Sequence, residues 1–267
     1  MVDDRWLVVL DIDGTVLKED GEIAPAVVSA VRRVRDAGHE VMLATGRSAA
    51  LAMPVLDRLG LTPDYLVTSN GAVTLKRDSG APMGYVREFV ETFDPRNVLS
   101  TIRESLEGAH YAVEDQDGVY QFTGEFPDGT LGAASERVHF DQLLSVRATR
   151  VVVISPAHPV EQFLAIVERM GLHRVSYNVG WTAWLDIAPD GVNKATALEK
   201  VRDLMGIPRE RILAIGDGRN DIDMLRWAGS RGRSFAMGQA PDVVKEAAQN
   251  VTATDFEDGV ARVLDTF

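Results

Sequence analysis

Residues 8–15 read VVLDIDGT: an apolar run, then Asp11 and Asp13 one residue apart, then Gly14. The run from Trp6 to Ile12 has the length and character of a short buried strand. Two carboxylates at the end of such a strand admit two readings. Asp-Gly is common turn chemistry, so the pair can be a solvated turn. Alternatively it belongs to a site that uses negative oxygens, a metal ion or both. Alone, the stretch supports the two readings equally, and the rest of the chain has to decide.

Downstream, residues 25–37 place Val27, Val31 and Val34 at helical spacing, with Arg32, Arg33 and Arg35 on the other faces and Gly38 as a stop. HEVMLAT (39–45) and DYLVTSN (64–70) read as further strands. The helix expected between them, over 48–59, contains Pro54, which predicts a kink or a late start. Strand and helix alternating in this way build a parallel sheet covered on both faces. From 71 to about 126 the pattern changes to short, hairpin-like strands. A strand over 149–155 comes next, then an amphipathic helix with Val160, Phe163, Leu164, Val167 and Met170 on one face, then strands over 173–179 and 181–187. After Pro189 the alternation resumes, with a helix over 193–205, the strand RILAIG, the helix NDIDMLRWAG, the strand RSFAMG and the helix DVVKEAAQ. The predicted fold is α/β: a doubly wound, mostly parallel sheet made by residues 1–82 and 189–267, with an α+β domain of residues 83–188 inserted.

Bulk properties narrow the function. A net charge of −12 argues against general nucleic-acid binding and against anionic membranes. It leaves small anionic substrates open, because local cations can hold them. With no cysteine, disulfides and thiolate metal sites are excluded. No apolar stretch approaches membrane-spanning length, and MVDDRW lacks an apolar signal core. The expectation is a soluble cytoplasmic protein.

Ligands in open α/β sheets bind outside the carboxyl ends of the strands. Those ends carry Asp11 and Asp13, then Thr45-Gly46-Arg47, then Ser69-Asn70-Gly71, then Asp217 with Asn220 and Asp221 close behind. Each has an ordinary structural reading. Ser48 is best read as a helix cap. Asn70-Gly71 is a common hairpin signal. Asp221 sits in a first helical turn, where the helix dipole favours an anion. Lys194 is more informative: it comes directly after the expected cap Asn193 at a helix start, where a cation opposes the dipole unless an anion is near. Together these residues change the balance. Three acidic side chains near one point repel one another, and a divalent cation removes that cost. An all-oxygen donor set suits Mg²⁺. The Thr45 hydroxyl and nearby helix-start amides can hold phosphate oxygens, with positive charge from Lys194 and Arg47. A carboxylate nucleophile, a metal and a phosphate cradle are the parts of a phosphoryl-transfer site.

DIDGT, ATGR, Lys194 in GVNKATAL, and GDGRNDIDML resemble, in order and spacing, the four signature motifs of the haloacid dehalogenase-like hydrolases. SNGA and the wording of the fourth motif are similar to the Cof-like branch, mostly sugar-phosphate phosphatases with a type IIB α+β cap after the third strand. The resemblance implies that Asp11 attacks phosphorus and forms an aspartyl-phosphate, and that Asp13 carries the proton. It further implies Mg²⁺ on the Asp11 carboxylate, the Asp13 carbonyl and the Asp217 carboxylate, supported by Asp221. Thr45, Gly46, Lys194 and Asn220 would hold the phosphate, with Arg47 as a further candidate. The implied activity is Mg²⁺-dependent hydrolysis of small phosphomonoesters, with sugar phosphates foremost. His110, Tyr111, Tyr120, Trp181 and Trp184 are aromatic candidates for substrate choice in the cap, although such residues more often build a domain's own core.

The nearest competing readings are a phosphomutase using the same Asp11 chemistry and a non-enzymatic phospho-aspartate receiver. The receiver is a single small domain whose phosphorylated aspartate ends a later strand, which disfavours it. An EF-hand needs glycine at the sixth loop position, and counting from Asp11 it comes at the fourth. A dinucleotide-binding fold needs GxGxxG after its first strand, and none is there.

Overall fold

All four side chains of β1 (Leu7–Leu10) are buried, as a central parallel strand requires. The computed structural model describes residues 4–132, 134–172, 175–179 and 183–267. β1 is followed by α1 (Pro25–Asp36), β2 (Glu40–Leu43), α2 (Ala49–Leu59), β3 (Tyr65–Thr68), β4 (Val73–Arg77) and β5 (Tyr85–Val90). Next come α3 (Arg96–Ser105), β6 (His110–Asp115), β7 (Tyr120–Thr123), β8 (Ser135–Arg137), α4 (Phe140–Leu143), β9 (Ala148–Ile154), α5 (Val160–Met170), β10 (Val175–Val179) and β11 (Trp184–Pro189). The chain ends with α6 (Lys194–Leu204), β12 (Ile212–Gly216), α7 (Ile222–Gly229), β13 (Arg233–Ala236), α8 (Asp242–Lys245), β14 (Asn250–Val251) and α9 (Gly259–Leu264). Two compact units result, one from Met1–Glu88 with Asn193–Phe267, the other from Phe89–Val192.

The first unit is built on a five-stranded sheet of order β14-β13-β12-β1-β2, parallel throughout. Side chains alternate between its faces. Val8 and Leu10 pack with Val27, Val31 and Val34 of α1, Val55 and Leu59 of α2, and Val260 and Val263 of α9. Leu7 and Val9 pack with Leu198 and Val201 of α6 and Met224 of α7. Both faces are therefore covered, as the alternating sequence pattern requires. α1 starts with Pro25 in the first turn and ends before Gly38, whose φ of +93° no β-branched residue would tolerate.

Three local expectations need correcting. α2 runs unbroken from Ala49 to Leu59 with Pro54 inside it, so the late start that the proline allowed is not taken. Ser48 stands at the N-cap position of α2, but its buried hydroxyl makes no capping bond. The β4–β5 hairpin, which reads as the start of the hairpin-like section, joins the sheet of order β3-β4-β5. The reason is register: Thr68 pairs with Val73 and Tyr65 with Lys76 across an antiparallel ladder. The compact units accordingly part at 88/89 and 192/193, where the sequence suggested 82/83 and 188/189.

The second unit has a six-stranded sheet of order β10-β11-β9-β6-β7-β8. On one face Tyr111, Val113, Val151, Val153, Leu185 and Ile187 meet α3, α4 and α5 through Leu99, Ile102, Leu143, Phe163 and Val167. On the other, Tyr120 packs with Ala112, Val152 and Leu131, beside Trp184. Tyr111 and Tyr120 are thus core residues of this unit. The Trp184 indole donates to Asp186 (3.1 Å), and His110 Nδ1 lies 2.6 Å from the Glu125 carbonyl. Trp181 lies outside the described residues.

Phe163 is fully buried in that core, whereas Leu204 at the end of α6 is exposed. Phe163→Ala is expected to cost roughly 3–5 kcal/mol, and Leu204→Ala about 0.5 kcal/mol or less. Urea unfolding followed by circular dichroism measures both.

Candidate active site

Chain order in the first unit's sheet reverses between β1 and β12, which are parallel neighbours. Such a reversal opens a crevice at the carboxyl ends of the two strands. Asp11 leaves β1 there, tied to β12 by its amide on the Ile215 carbonyl (3.0 Å). Asp217 leaves β12 on the other side of the crevice. The loop after Asp11 turns through Gly14, with φ +73°, and a Cβ on Gly14 would collide with the Asp217 carboxylate. Only glycine lets the two loops approach this closely. The turn is closed by the Leu17 amide on the Ile12 carbonyl and the Gly14 amide on the Leu17 carbonyl, both 2.8 Å.

Lys194 starts α6, capped by Asn193, whose Oδ1 accepts from the Thr196 amide (3.0 Å). Its ammonium is fully buried and lies 2.6 Å from both Asp11 Oδ1 and Asp221 Oδ1. Those carboxylates are the anions that its unfavourable place on the helix dipole called for. Asp221 is also committed elsewhere: its Oδ2 accepts from the amides of Asp217 (3.0 Å) and Gly218 (2.9 Å). Thr15 donates its hydroxyl to Asp217 Oδ1 (3.3 Å). Oxygens of Asp11, Asp217 and Asp221 all lie within 4.8 Å of one another.

The electrostatics result from this crowding. Burial, then the charge of Asp221, pushes Asp11 up to about 7 against the pull of Lys194. Burial, then the charges of Asp11 and Asp221, pushes Asp217 up to about 9. Burial disfavours the charged form of Lys194, but Asp11 and Asp221 more than offset this and raise its pKa. One lysine faces three buried carboxylates, so the cluster is short of positive charge. Its donor atoms are all hard oxygens, the type that holds Mg²⁺. Among the described residues no donor reaches the Asp13 carbonyl, which leaves a further oxygen free.

Beside the carboxylates lie the residues read as a phosphate cradle. Thr45 is buried, and its hydroxyl accepts from the Arg47 amide (3.1 Å). Arg47 grips Asp13 as a fork, with Nε 2.9 Å from Oδ2 and one terminal nitrogen 2.5 Å from Oδ1. This hydrogen bonding raises the pKa of the guanidinium further. Asn220 donates its side-chain amide to Asn70 Oδ1 (3.0 Å). Every residue assigned to the site in the sequence thus falls in the first unit. Thr15, within DIDGT, joins the site although its residue type alone does not mark it, and Asn70, whose Asn-Gly pair reads as turn chemistry, reaches it as well. Asn70 stands at a strand end in the same row as the other site residues, and that position was the available signal.

The haloacid dehalogenase-like hydrolase family matches residues 8–264. The chain is 30% identical to the 5-amino-6-(5-phospho-D-ribitylamino)uracil phosphatase YitU of Bacillus subtilis, over 97% of this chain and 96% of that protein. It is 28% identical to the pyridoxal phosphate phosphatase YbhA of Escherichia coli, over 97% of each chain. In fold it is similar to the haloacid dehalogenase subclass IIB sugar phosphatase BT4131, with a TM-score of 0.81 and 22% identity over 98% of each chain. The chain therefore belongs to the haloacid dehalogenase-like hydrolases, in their Cof-like branch, and is an enzyme of the phosphoric monoester hydrolase type.

Proposed function

We propose that this enzyme hydrolyses small phosphomonoesters, sugar phosphates foremost, with Mg²⁺ and through an aspartyl-phosphate on Asp11. The observation that carries the reading is the buried lysine set among three carboxylates. Such a cluster has use for a divalent cation and, beside a cradle of Thr45, Gly46 and Asn220, for a phosphate. Names of relatives support the substrate class: YitU is a phosphatase of a phosphoribityl compound and YbhA of pyridoxal phosphate.

The Asp11 and Asp217 carboxylates and the Asp13 carbonyl would hold the metal, with Asp221 supporting from outside through Lys194 and the two amides it accepts from. When bound, the metal supplies positive charge to the carboxylates and the phosphate. An Asp11 oxygen attacks phosphorus and the ester P–O bond breaks. The Asp13 carboxyl gives its proton to the leaving oxygen. The Asp13 carboxylate then takes a proton from water, whose oxygen attacks the phosphoryl group. The Asp11–phosphate bond breaks, releasing inorganic phosphate and restoring Asp11. Thr45, Gly46, Lys194 and Asn220 hold the phosphate oxygens throughout. Arg47, which here holds Asp13 as a carboxylate through its fork, frees an Asp13 oxygen for the proton when it turns its charge to the bound phosphate.

Phosphate release from p-nitrophenyl phosphate and from a panel of phosphorylated sugars tests the reading. Turnover should require Mg²⁺ and fall by at least about 1,000-fold in Asp11→Asn. Metal-independent turnover, or full activity in that variant, contradicts the mechanism. Transfer of the phosphoryl group to a second sugar, with none released to water, indicates a phosphomutase.

The metal can also be followed without turnover. At a Mg²⁺ concentration about 100 times its dissociation constant, the folded protein should gain roughly 2.7 kcal/mol. This is read as a rise in Tm that Asp217→Asn largely removes. Metal-free, the folded protein keeps protons on Asp11 (about 7) and Asp217 (about 9) that the unfolded chain has released above 3.8. The folded state therefore binds more protons, and metal-free stability should fall as pH rises from 5 to 9. Mg²⁺ should flatten that decline.

A further inference from the structure

Ser69, Asn70 and Gly71 have successive φ angles of 49°, 53° and 100°. Two neighbouring non-glycine residues in the left-handed region are costly, and such strain is kept where the surroundings over-determine it. Here they do. The Ser69 amide donates to the Arg47 carbonyl (2.8 Å) and the Asn70 amide to the Thr45 carbonyl (3.0 Å). A Cβ on Gly71 would collide with the Asn193 carbonyl, so the turn is pressed onto the start of α6, next to Lys194. The turn therefore joins the Thr45–Arg47 stretch to the start of the lysine-bearing helix.

The Asn70 side chain completes the connection. It is buried, with 4% exposure. Its Oδ1 accepts from Asn220 Nδ2, which leaves one Asn220 N–H uncommitted and fixes its direction. Its own Nδ2 finds no acceptor among the described residues. That amide lies against Gly46, where an added Cβ would come within 3.2 Å of Nδ2. A turn alone would be better served by glycine, which adopts positive φ without cost. An asparagine here retains the backbone penalty and presents an unused donor among phosphate-cradle residues.

We infer that Asn70 is a further residue of the phosphate site: its Oδ1 orients Asn220 and its Nδ2 donates to the bound phosphoryl group. This rests on the phosphatase reading above. Asn70→Gly separates side chain from backbone, since it removes the amide and relieves the strain. Its Tm should stay level or rise, while kcat/KM for p-nitrophenyl phosphate falls between about 10-fold and 100-fold, the range for a lost hydrogen bond to a charged group. Competitive inhibition by inorganic phosphate should weaken in parallel. Asn70→Asp keeps the acceptor for Asn220 and replaces the donor with an anionic oxygen, so it should lose more activity and bind phosphate more weakly still. Should Asn70→Gly prove unstable, Asn70→Asp decides alone. An active wild type with either folded variant within twofold of it in kcat/KM overturns the inference and leaves the phosphatase reading standing. A wild type that neither turns over nor binds phosphate removes both.

Discussion

The ammonium of Lys194, closed off from solvent and 2.6 Å from two carboxylates, is the contact on which the first unit's organisation turns. A buried lysine is tolerated only with partners, and buried carboxylates only with cations. Each therefore fixes the other, and with them three distant parts of the chain: the end of β1, the start of α6 and the entry to α7. The lysine does not balance the charge it meets. Asp217, also buried, is left with a threonine hydroxyl as its side-chain partner. That shortage of positive charge is what the proposed divalent cation would meet.

The sheet supplies this contact with its geometry. Because β1 and β12 are adjacent and parallel, their carboxyl ends emerge side by side, and the carboxylates meet without any long loop between them. The apolar alternation that packs helices on both faces of β1 is thus also what brings Asp11 to the crevice. Folding and the proposed catalysis share the strand but use different ends of it.

Much of this was legible in the sequence. Strand and helix periodicity exposed the doubly wound pattern, and the residues at the carboxyl ends of the strands, with the start of one helix, included Asp11, Thr45, Lys194 and Asp217. Lys194 was informative because its place on a helix dipole made sense only with an anion nearby. The features that escaped the sequence depend on conformation or pairing. Asn-Gly looks the same whether its φ angles form a hairpin turn or a strained hub, so Asn70 passed as a connector. Arg47 showed its charge but not its fork on Asp13. β4 resembles the strands after it, and only its ladder with β3 assigns it to the first unit.

The two-part construction of the first unit also bears on the order in which the protein can be completed. Asp11 and Lys194 are 183 residues apart, and β1 borders β12 on one side. During synthesis β1 emerges long before this neighbour exists. The strands of the six-stranded sheet, by contrast, all lie within His110–Pro189 and are available earlier. The ribosome therefore delivers every strand of the second unit while the first still has an open sheet edge and unneutralised carboxylates. Closure of the candidate-site crevice is deferred to the last third of translation, when β12 supplies the missing pairing and Lys194 the missing charge.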